Sequence, residues 1–360
     1  MKKALGTLLC LSTFLTVANA SSFEKQNEFI DTVSIDKPIN LEILITNDKV
    51  TCITLLKVLD SNNNIILDAR DINMYLSQNK TFNAPIKEGT YTIKYIKGPN
   101  VECRKANFNL SYTKVLGNFE VEPNDDLSYA TPLKELKYIH GYLQNLSDVD
   151  YYKLDLPTKG ILDIEFLHKK LKSSANFSIK IIDENDKLVV EYDSKPDKLK
   201  TERKFGLNKG IYFIEIKKTN GGTGLEHHEY KMAYSFYKNE NTEISPNDDF
   251  SNATEINDGV YISGTFNEKY KKDHYKYKAK KGKYSLLYEH KPFKYGTNIE
   301  IFDSNQKRIK HISQKGLKEK EYFDFEIEQD DTIYIRFEKS SLSNEENEEL
   351  SYKFGVIKSK

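Results

Sequence analysis

The stretch Ser178-Ile-Lys-Ile-Ile-Asp-Glu-Asn-Asp-Lys-Leu-Val189 decides the fold of this chain, because related stretches stand at two other places. They are Leu55-Leu-Lys-Val-Leu-Asp-Ser-Asn-Asn-Asn-Ile-Ile66 and Asn298-Ile-Glu-Ile-Phe-Asp-Ser-Asn-Gln-Lys-Arg-Ile309. Each copy consists of an apolar run, a polar turn that begins with Asp, and a second run. This order predicts a β-hairpin at all three places.

A further strand is predicted downstream of each hairpin. The three segments are Gly89-Thr-Tyr-Thr-Ile-Lys-Tyr95, Gly210-Ile-Tyr-Phe-Ile-Glu-Ile216 and Thr332-Ile-Tyr-Ile-Arg-Phe337. Their Tyr, Ile and Phe content and their alternation are typical of half-buried antiparallel strands. Because Asn, Asp and Gly turns separate these strands and long helical patterns are absent, the sequence predicts an all-β fold of tandem antiparallel β-sandwich modules, three in a row.

A longer repeat indicates where the modules meet. Phe119-Glu-Val-Glu-Pro-Asn-Asp-Asp-Leu-Ser-Tyr-Ala-Thr131 returns 123 residues later as Thr242-Glu-Ile-Ser-Pro-Asn-Asp-Asp-Phe-Ser-Asn-Ala-Thr254. The match continues downstream, since Gly141, Asp150 and Tyr152 have counterparts at the same spacing. The predicted division is a signal peptide followed by three modules: 1–20, 21–117, 118–238 and 239–360.

The beginning of the chain predicts export. Lys2 and Lys3 precede an apolar stretch over 4–17 and the small-residue cleavage site Ala18-Asn-Ala20, which is the pattern of a secretory signal peptide. Cys10 follows Leu9, whereas a lipidated cysteine needs a small residue before it. No later stretch has the apolar length of a transmembrane segment, so the mature protein is expected in the periplasm, at the cell surface or outside the cell.

The two remaining cysteines, Cys52 and Cys103, predict one disulfide bond, because an exported chain meets an oxidising compartment. A zinc site is the alternative, but two thiols without neighbouring histidines supply only half of its ligands.

The charge balance argues against a nucleic-acid partner. Lys and Arg number 54, as do Asp and Glu, so there is no net field that attracts a polyanion. Arg, whose forked donors suit phosphates and bases, is rare beside Lys.

Oxygen donors cluster in the repeated phrase and suggest a cation site. Alternate residues of an extended segment point the same way, so Glu120, Glu122 and Asn124 line one side of the chain. If this segment meets the loop that carries Asp148 and Asp150, the donor number suits Ca²⁺, which takes about six to eight oxygens. The alternative is a set of solvated turn residues that only cap a short helix. The predicted calcium ligands are Glu120, Glu122, Asn124, Asp125, Asp148 and Asp150.

The second copy of the phrase has lost part of this donor set. Ser245 replaces Glu122, and Lys271 replaces Asp148, so that an ammonium stands where a carboxylate was. We expect Lys271 to pair with the remaining acids and hold the segments together without a metal ion. The predicted second site is therefore weak or absent, with these residual donors: Glu243, Asn247, Asp248 and Asp273.

The Glu-x-Glu-Pro-Asn-Asp opening over 120–125, followed by Gly141 and by Ser-Asp-x-Asp-Tyr-Tyr over 147–152, resembles the bacterial pre-peptidase C-terminal domain family. These domains accompany many secreted proteases and collagenases. The resemblance is strong over 119–238, good over 242–357, and limited to strand rhythm over 21–117. It implies a jelly-roll-like antiparallel sandwich and a calcium site built from the six donors named above.

Catalytic motifs are not found. The His228-Glu229 pair is not followed by a histidine at zincin spacing, and no Gly-x-Ser-x-Gly elbow occurs. The sequence therefore favours a non-catalytic protein that binds an unknown protein or polysaccharide ligand at an extracellular or surface location. The alternative hypothesis is an accessory subunit, inhibitor or chaperone of a separately encoded secreted protease.

Overall fold

The computed structural model describes the greater part of the chain after the predicted signal peptide. The predicted signal peptide over 1–20 and Lys271 lie outside the described residues. The described ranges are 21–23, 28–47, 52–74, 80–98, 103, 108–143, 148–169, 176–194, 197, 199–219, 228–266, 272–290, 296–314, 319–339 and 350–359.

The first group of strands builds two four-stranded sheets, with the orders β1-β8-β3-β6 and β2-β7-β4-β5. These strands are β1 Ser21–Phe23, β2 Glu28–Ile35, β3 Ile39–Asn47, β4 Cys52–Asp60, β5 Ile65–Met74, β6 Lys80–Ile86, β7 Gly89–Lys97 and β8 Phe108–Val115.

The second group, which we name the central sandwich, builds the sheets β10-β17-β12-β15 and β14-β13-β16-β11-β9. A 3₁₀ turn at Leu127–Tyr129, capped by the Asp126 side chain, precedes it. Its strands are β9 Thr131–Pro132, β10 Ile139–Leu143, β11 Val149–Leu156, β12 Gly160–His168, β13 Asn176–Asp183, β14 Leu188–Ser194, β15 Lys200–Leu207, β16 Gly210–Thr219 and β17 His228–Lys238.

The third group, which we name the last sandwich, builds the sheets β19-β26-β21-β24 and β18-β20-β25-β22-β23. Its strands are β18 Thr254–Ile256, β19 Tyr261–Phe266, β20 Lys272–Ala279, β21 Gly282–His290, β22 Thr297–Phe302, β23 Arg308–Gln314, β24 Lys320–Ile327, β25 Asp331–Lys339 and β26 Leu350–Lys358.

The three groups share one strand order. The series β1-β8-β3-β6, β10-β17-β12-β15 and β19-β26-β21-β24 correspond strand by strand, and so do the partner sheets, apart from the short edge strands β9 and β18. The named strand pairs are antiparallel except those of β9 with β11 and of β18 with β20. The all-β fold of repeated antiparallel sandwiches is therefore confirmed, and it extends to the group in which the sequence repeat is faintest.

Each group has its own core, which explains why the pairs of sheets stay together. Inward-facing residues of both sheets meet in one apolar cluster, as Ile164 of β12 and Ile214 of β16 do in the central sandwich. The burial of β12 alternates strictly along the strand, as expected for a sheet with one face in the core and the other towards water.

The predicted hairpins are present, and an aspartate builds each turn. The Asp183 carboxylate accepts hydrogen bonds from the backbone N–H groups of Asn185 (2.9 Å) and Lys187 (3.0 Å). Asp186 occupies the left-handed region at φ 60°. Asp60 and Asp303 accept equivalent bonds in the other two groups, so one turn chemistry sets the register of all three hairpins.

Two backbone hydrogen bonds join neighbouring groups. The N–H of Glu122 donates to the carbonyl of Pro85 on β6 (3.0 Å), and the N–H of Ser245 donates to the carbonyl of Gly206 on β15 (2.9 Å). The second contact is very close, since a Cβ on Gly206 would lie 1.9 Å from the Glu243 carbonyl oxygen. A glycine is therefore required where the central and last sandwiches meet.

The disulfide between Cys52 and Cys103 stays a prediction. Cys103 is fully buried in the core of the first group, whereas the Cys52 side chain lies outside the described residues.

Within the described ranges, no helix is long and apolar enough to cross a membrane.

The Gly206→Ala substitution tests the contact between the central and last sandwiches. We expect it to lower the free energy of unfolding by about 1–3 kcal/mol, because the added methyl group displaces the Glu243 backbone. Thermal or urea unfolding measures the change. Glu202→Ala, on the exposed face of the same strand, is the control and should change stability by no more than about 0.5 kcal/mol. Equal effects of the two substitutions would contradict this account of the contact.

Candidate functional site

The segment over 118–126, which we name the leading segment, is held against the central sandwich by its backbone. The backbone N–H of Glu120 donates to the carbonyl of His140 on β10 (2.9 Å), and the N–H of His140 donates to the carbonyl of Asn118 (2.9 Å). At its other end, the carbonyl of Asn124 accepts from the N–H of Tyr151 on β11 (3.0 Å). The segment predicted to meet the acidic strand therefore does so.

Three carboxylates converge where this segment meets β11. Oxygens of Glu120, Glu122 and Asp150 lie within 4.8 Å of one another, and all three side chains are buried. The Glu122–Pro123 peptide bond is cis. The expectation that alternate residues of the segment share one side is borne out, because Glu120, Glu122 and Asn124 are all buried together.

The other two predicted acids lie at the margin of this cluster. Asp148 is buried, and its charge raises the pKa of both Glu122 and Asp150. Asp125 is exposed, and its carboxylate accepts a hydrogen bond from the N–H of Val149 (3.1 Å). The structure thus brings Glu120, Glu122, Asn124 and Asp150 together, with Asp148 close enough to act on them electrostatically and Asp125 on the solvent side.

Asn124 connects two of the acids through its side-chain amide. Its Nδ2 donates to Asp150 Oδ1 (3.1 Å) and to Glu122 Oε2 (3.3 Å). The amide therefore supplies a hydrogen bond to each of these two carboxylates.

Two tyrosines that the sequence reasoning gave no role complete the site. Tyr152 donates to Glu120 Oε2 (2.6 Å), Tyr230 donates to Asp150, and the two hydroxyls are 2.6 Å apart. A signal for them existed in the repeat. Tyr152 corresponds to Tyr275, and Tyr230-Lys231 is matched by Tyr352-Lys353 at a spacing shorter by one residue than that of the quoted phrase.

The glycine that the repeat preserves makes room for these tyrosines. A Cβ on Gly141 would lie 2.2 Å from Tyr230 Cζ and 2.7 Å from the Tyr152 hydroxyl. In the last sandwich, Gly264 has the same relation to Tyr352 and Tyr275. The repeated glycine is therefore a packing requirement of the site rather than a turn residue.

Burial and mutual repulsion raise the pKa values of the acids in the cluster. Burial, followed by the charges of Asp148 and Glu120, raises the pKa of Glu122 well above its usual range, and burial with the Glu120 charge does the same to Asp150. Burial also raises the pKa of Glu120. The chain Glu120–Tyr152–Tyr230–Asp150 has three hydrogen-bond links, but the two hydroxyls supply only two protons. Ionising both end carboxyl groups would leave one of these links without a proton.

The donor chemistry fits a hard cation with several ligands. Carboxylate and amide oxygens suit Ca²⁺, which binds them at about 2.3–2.6 Å. Zinc prefers imidazole and thiolate ligands, and no such group belongs to this set among the described residues. Mg²⁺ prefers to keep its waters.

The last sandwich repeats the framework but not the full donor set. Tyr275 donates to Glu243 Oε2 (2.8 Å), Tyr352 donates to Asp273 (2.6 Å), and their hydroxyls are 2.7 Å apart. The side-chain amide of Asn247 donates to Glu243 Oε2 (3.3 Å). Asp248 is half-buried and accepts a hydrogen bond from the Asn252 side chain (2.7 Å).

The missing donor leaves this second site with two buried acids. Ser245 is buried where the central sandwich has Glu122, and the described residues do not form a second cluster of three carboxylates. Burial raises the pKa of Glu243 to about 7, and burial with the Glu243 charge raises that of Asp273 well above its usual range. A single shared proton removes one of the two negative charges of this pair.

Comparisons with known proteins give only distant likenesses. A scan against protein-family models found no match, and a search of curated proteins found none either. Among solved structures, the pre-peptidase C-terminal domain of collagenase from Bacillus anthracis is 17% identical, covers 29% of this chain and 94% of that one, and has a TM-score of 0.25.

Two further solved structures illustrate the range of similar proteins. The tandem CBM51 modules of a family 98 glycoside hydrolase from Streptococcus pneumoniae are 10% identical over 61% of this chain and 83% of that one, with a TM-score of 0.21. PNGase F, a glycosylasparaginase from Flavobacterium meningosepticum, is 11% identical over 61% of this chain and the whole of that one, with a TM-score of 0.24. Likenesses at such TM-scores carry no argument about function.

The raised pKa of Glu243 predicts a pH dependence that a substitution isolates. Between about pH 4.5 and 7 the unfolded chain has lost the proton that folded Glu243 keeps, so this residue's contribution to stability falls as pH rises. Glu243→Gln cannot ionise. In chelator, we expect it to match the natural chain near pH 5 and to unfold at a higher temperature near pH 8.

Glu255→Gln, which changes an exposed acid on β18, is the control for this measurement. Thermal unfolding curves at the two pH values give the result. Parallel pH profiles for the natural chain and Glu243→Gln would contradict the buried, protonated state of Glu243.

Proposed function

We propose that this chain is an exported, non-catalytic binding protein whose central sandwich is stabilised by Ca²⁺, and whose central and last sandwiches are related to pre-peptidase C-terminal domains. It acts on an extracellular or surface ligand. The observation that carries the proposal is the buried cluster of Glu120, Glu122 and Asp150. The sequence pattern at the chain start supports export.

Electrostatics supports a cation at this cluster. Two carboxylate charges at the 4.8 Å limit of the cluster repel each other by roughly 3 kcal/mol at an effective dielectric constant of about 20. Desolvation adds to this cost for every acid in the group. Protons relieve the repulsion but leave fewer ionised ligands, whereas Ca²⁺ relieves it while the carboxylates stay ionised.

The ion would act on the arrangement of the chain as well as on the central sandwich. Its ligands come from the leading segment and from β11, which are otherwise held by a few backbone hydrogen bonds. The leading segment also bonds to β6 through Glu122 and Pro85. Calcium bound by Glu122 therefore orders the connection between the first group and the central sandwich, and it stabilises the folded state by linkage.

The last sandwich reaches the same architecture without calcium. Its Glu243–Tyr275–Tyr352–Asp273 chain keeps the hydrogen bonds of the central site, and one proton halves the negative charge of its two buried acids. The loss of Glu122 and Asp148 at the corresponding positions removes the charges that a divalent ion would balance. We propose one calcium site for the whole chain.

Calcium binding is tested by titration calorimetry on the mature chain over 21–360. We expect one Ca²⁺ per chain, with proton release and an affinity that rises with pH, because the ion displaces protons from acids of raised pKa. At a free calcium concentration of about 100 times the Kd, the folded state gains roughly 2.7 kcal/mol. Glu122→Gln should abolish both the binding heat and the calcium-dependent rise in Tm.

Asp126→Asn is the matched control, since Asp126 caps the adjacent 3₁₀ turn and points away from the cluster towards Ser128. It should leave binding unchanged. A natural chain that shows neither binding heat nor a rise in Tm at millimolar calcium would overturn the proposed site.

The second copy of the repeated phrase, which has lost two carboxylates, allows a gain-of-function test. Ser245→Glu combined with Lys271→Asp restores the two carboxylates that the central site has, on a framework of Glu and Tyr residues that is already present. We expect the double variant to bind two Ca²⁺ per chain instead of one, as counted by calorimetry. Ser245→Gln with Lys271→Asn keeps the size of these side chains without the charge and should leave the count at one. A double variant with unchanged stoichiometry would contradict the ligand assignment.

A further inference from the structure

A cavity of about 630 Å³ lies where the central and last sandwiches meet. The outer face of the sheet β19-β26-β21-β24 forms one wall, and residues of β12 and β15 form the other. We name this cavity and the sheet face that continues from it the cleft. Residues that line the cavity include Ile161, Lys204, Phe205, Ser263, Glu289 and Lys353.

An aromatic row crosses the outer face of this sheet. The strand register aligns Tyr261 with Gly355, Gly355 with Leu287, and Leu287 with Tyr322. The tyrosines are 41% and 62% exposed, on the two outer strands of the sheet, whereas Leu287 between them is fully buried. A Cβ on Gly355 would lie 3.3 Å from Tyr261 Cδ1, so the Tyr261 ring lies against the bare glycine backbone.

A polar row follows two residues further along the same strands. Here the register aligns Ser263 with Lys353, Lys353 with Glu289, and Glu289 with Lys320. Glu289 and Lys320 form an ion pair at 2.8 Å. All four residues line the cavity, so hydrogen-bonding groups of both polarities stand beside the exposed aromatic rings.

We infer that the cleft binds the polyhydroxylated chain of a glycan. A sugar ring has an apolar C–H face, which stacks on an aromatic ring, and a rim of hydroxyl groups, which exchange hydrogen bonds with carboxylate, ammonium and hydroxyl groups. The adjoining aromatic and polar rows offer these two contacts side by side. This inference rests on the proposed binding function and names the chemical class of its ligand.

The spacing of the rings favours a chain rather than a single sugar. Tyr261 and Tyr322 stand on strands separated by two others, and neighbouring strands lie about 4.8 Å apart, so the rings mark the ends of a face roughly 14 Å wide. A chain across the sheet meets both rings, and the cavity beside them accepts its substituents.

The central sandwich lacks this surface at the corresponding place, which gives a control. Its β10-side tyrosine, Tyr138, is 38% exposed, but its hydroxyl group is hydrogen-bonded to Glu165. Glu165 is aligned with Glu202, so charged residues stand where the last sandwich has Leu287 and Tyr322. The aromatic platform is a property of the last sandwich.

Affinity electrophoresis of the mature chain in calcium tests the inference. Each gel contains one probe: a neutral β-glucan, a galactomannan, a polyuronate, or gelatin, which represents a polypeptide ligand. We expect at least one polysaccharide to retard the natural chain, and Tyr261→Ala and Tyr322→Ala each to weaken the retardation about tenfold. Glu289→Gln should weaken it as well, whereas Tyr138→Ala should leave it unchanged.

Three results would overturn the inference: no retardation by any polysaccharide, retardation by gelatin alone, or retardation that the cleft substitutions do not alter. Circular dichroism and the calcium titration on the same variants show whether they are folded. A variant that binds calcium normally but fails to bind glycan shows a defect of the cleft alone. A natural chain that fails to bind calcium contradicts the proposed calcium site, not the cleft.

Discussion

The mutual repulsion of buried carboxylates is the constraint on which the arrangement of this protein depends. Glu120, Glu122 and Asp150 are removed from water at the point where the chain enters the central sandwich. Acids in such a place are tolerated only when hydrogen bonds and an added positive charge satisfy them. Two tyrosine hydroxyls and the Asn124 amide supply hydrogen bonds, and a proton or the proposed cation would supply the charge.

The duplicated sandwich shows how the same framework accommodates different amounts of charge. Both copies keep the Glu–Tyr–Tyr–Asp chain and the glycine that makes room for it. Only the central copy adds Glu122 and Asp148, so its buried acids repel one another more strongly. Because both copies keep the tyrosine chain, its role does not depend on these two acids, whereas the proposed ion binding does.

The proposals assign different roles to the two junctions of the chain. The cluster of the central sandwich orders the connection to the first group, and the Gly206 contact sets the last sandwich close enough to the central one to enclose a cavity. The ligand surface then arises at the second junction, on a sheet whose outer row carries Tyr261 and Tyr322. In these proposals, the junctions between the sandwiches matter for function as much as the faces of each sandwich.

The sequence by itself determined the all-β class, the three hairpins with their aspartate turns and the meeting of the leading segment with the acidic residues before β11 and on it, because these depend on local alternation and on a repeat that can be read by eye. It did not reveal Tyr152 and Tyr230 as partners of the acids, nor the alignment of Tyr261 with Tyr322. Those residues are far apart in the chain. Strand pairing aligns Tyr261 with Tyr322, and the packing of one sheet on the other brings Tyr152 of β11 to Tyr230 of β17. Local alternation does not encode which distant strands pair or which sheets pack together, so the tertiary structure alone decided which side chains share a site.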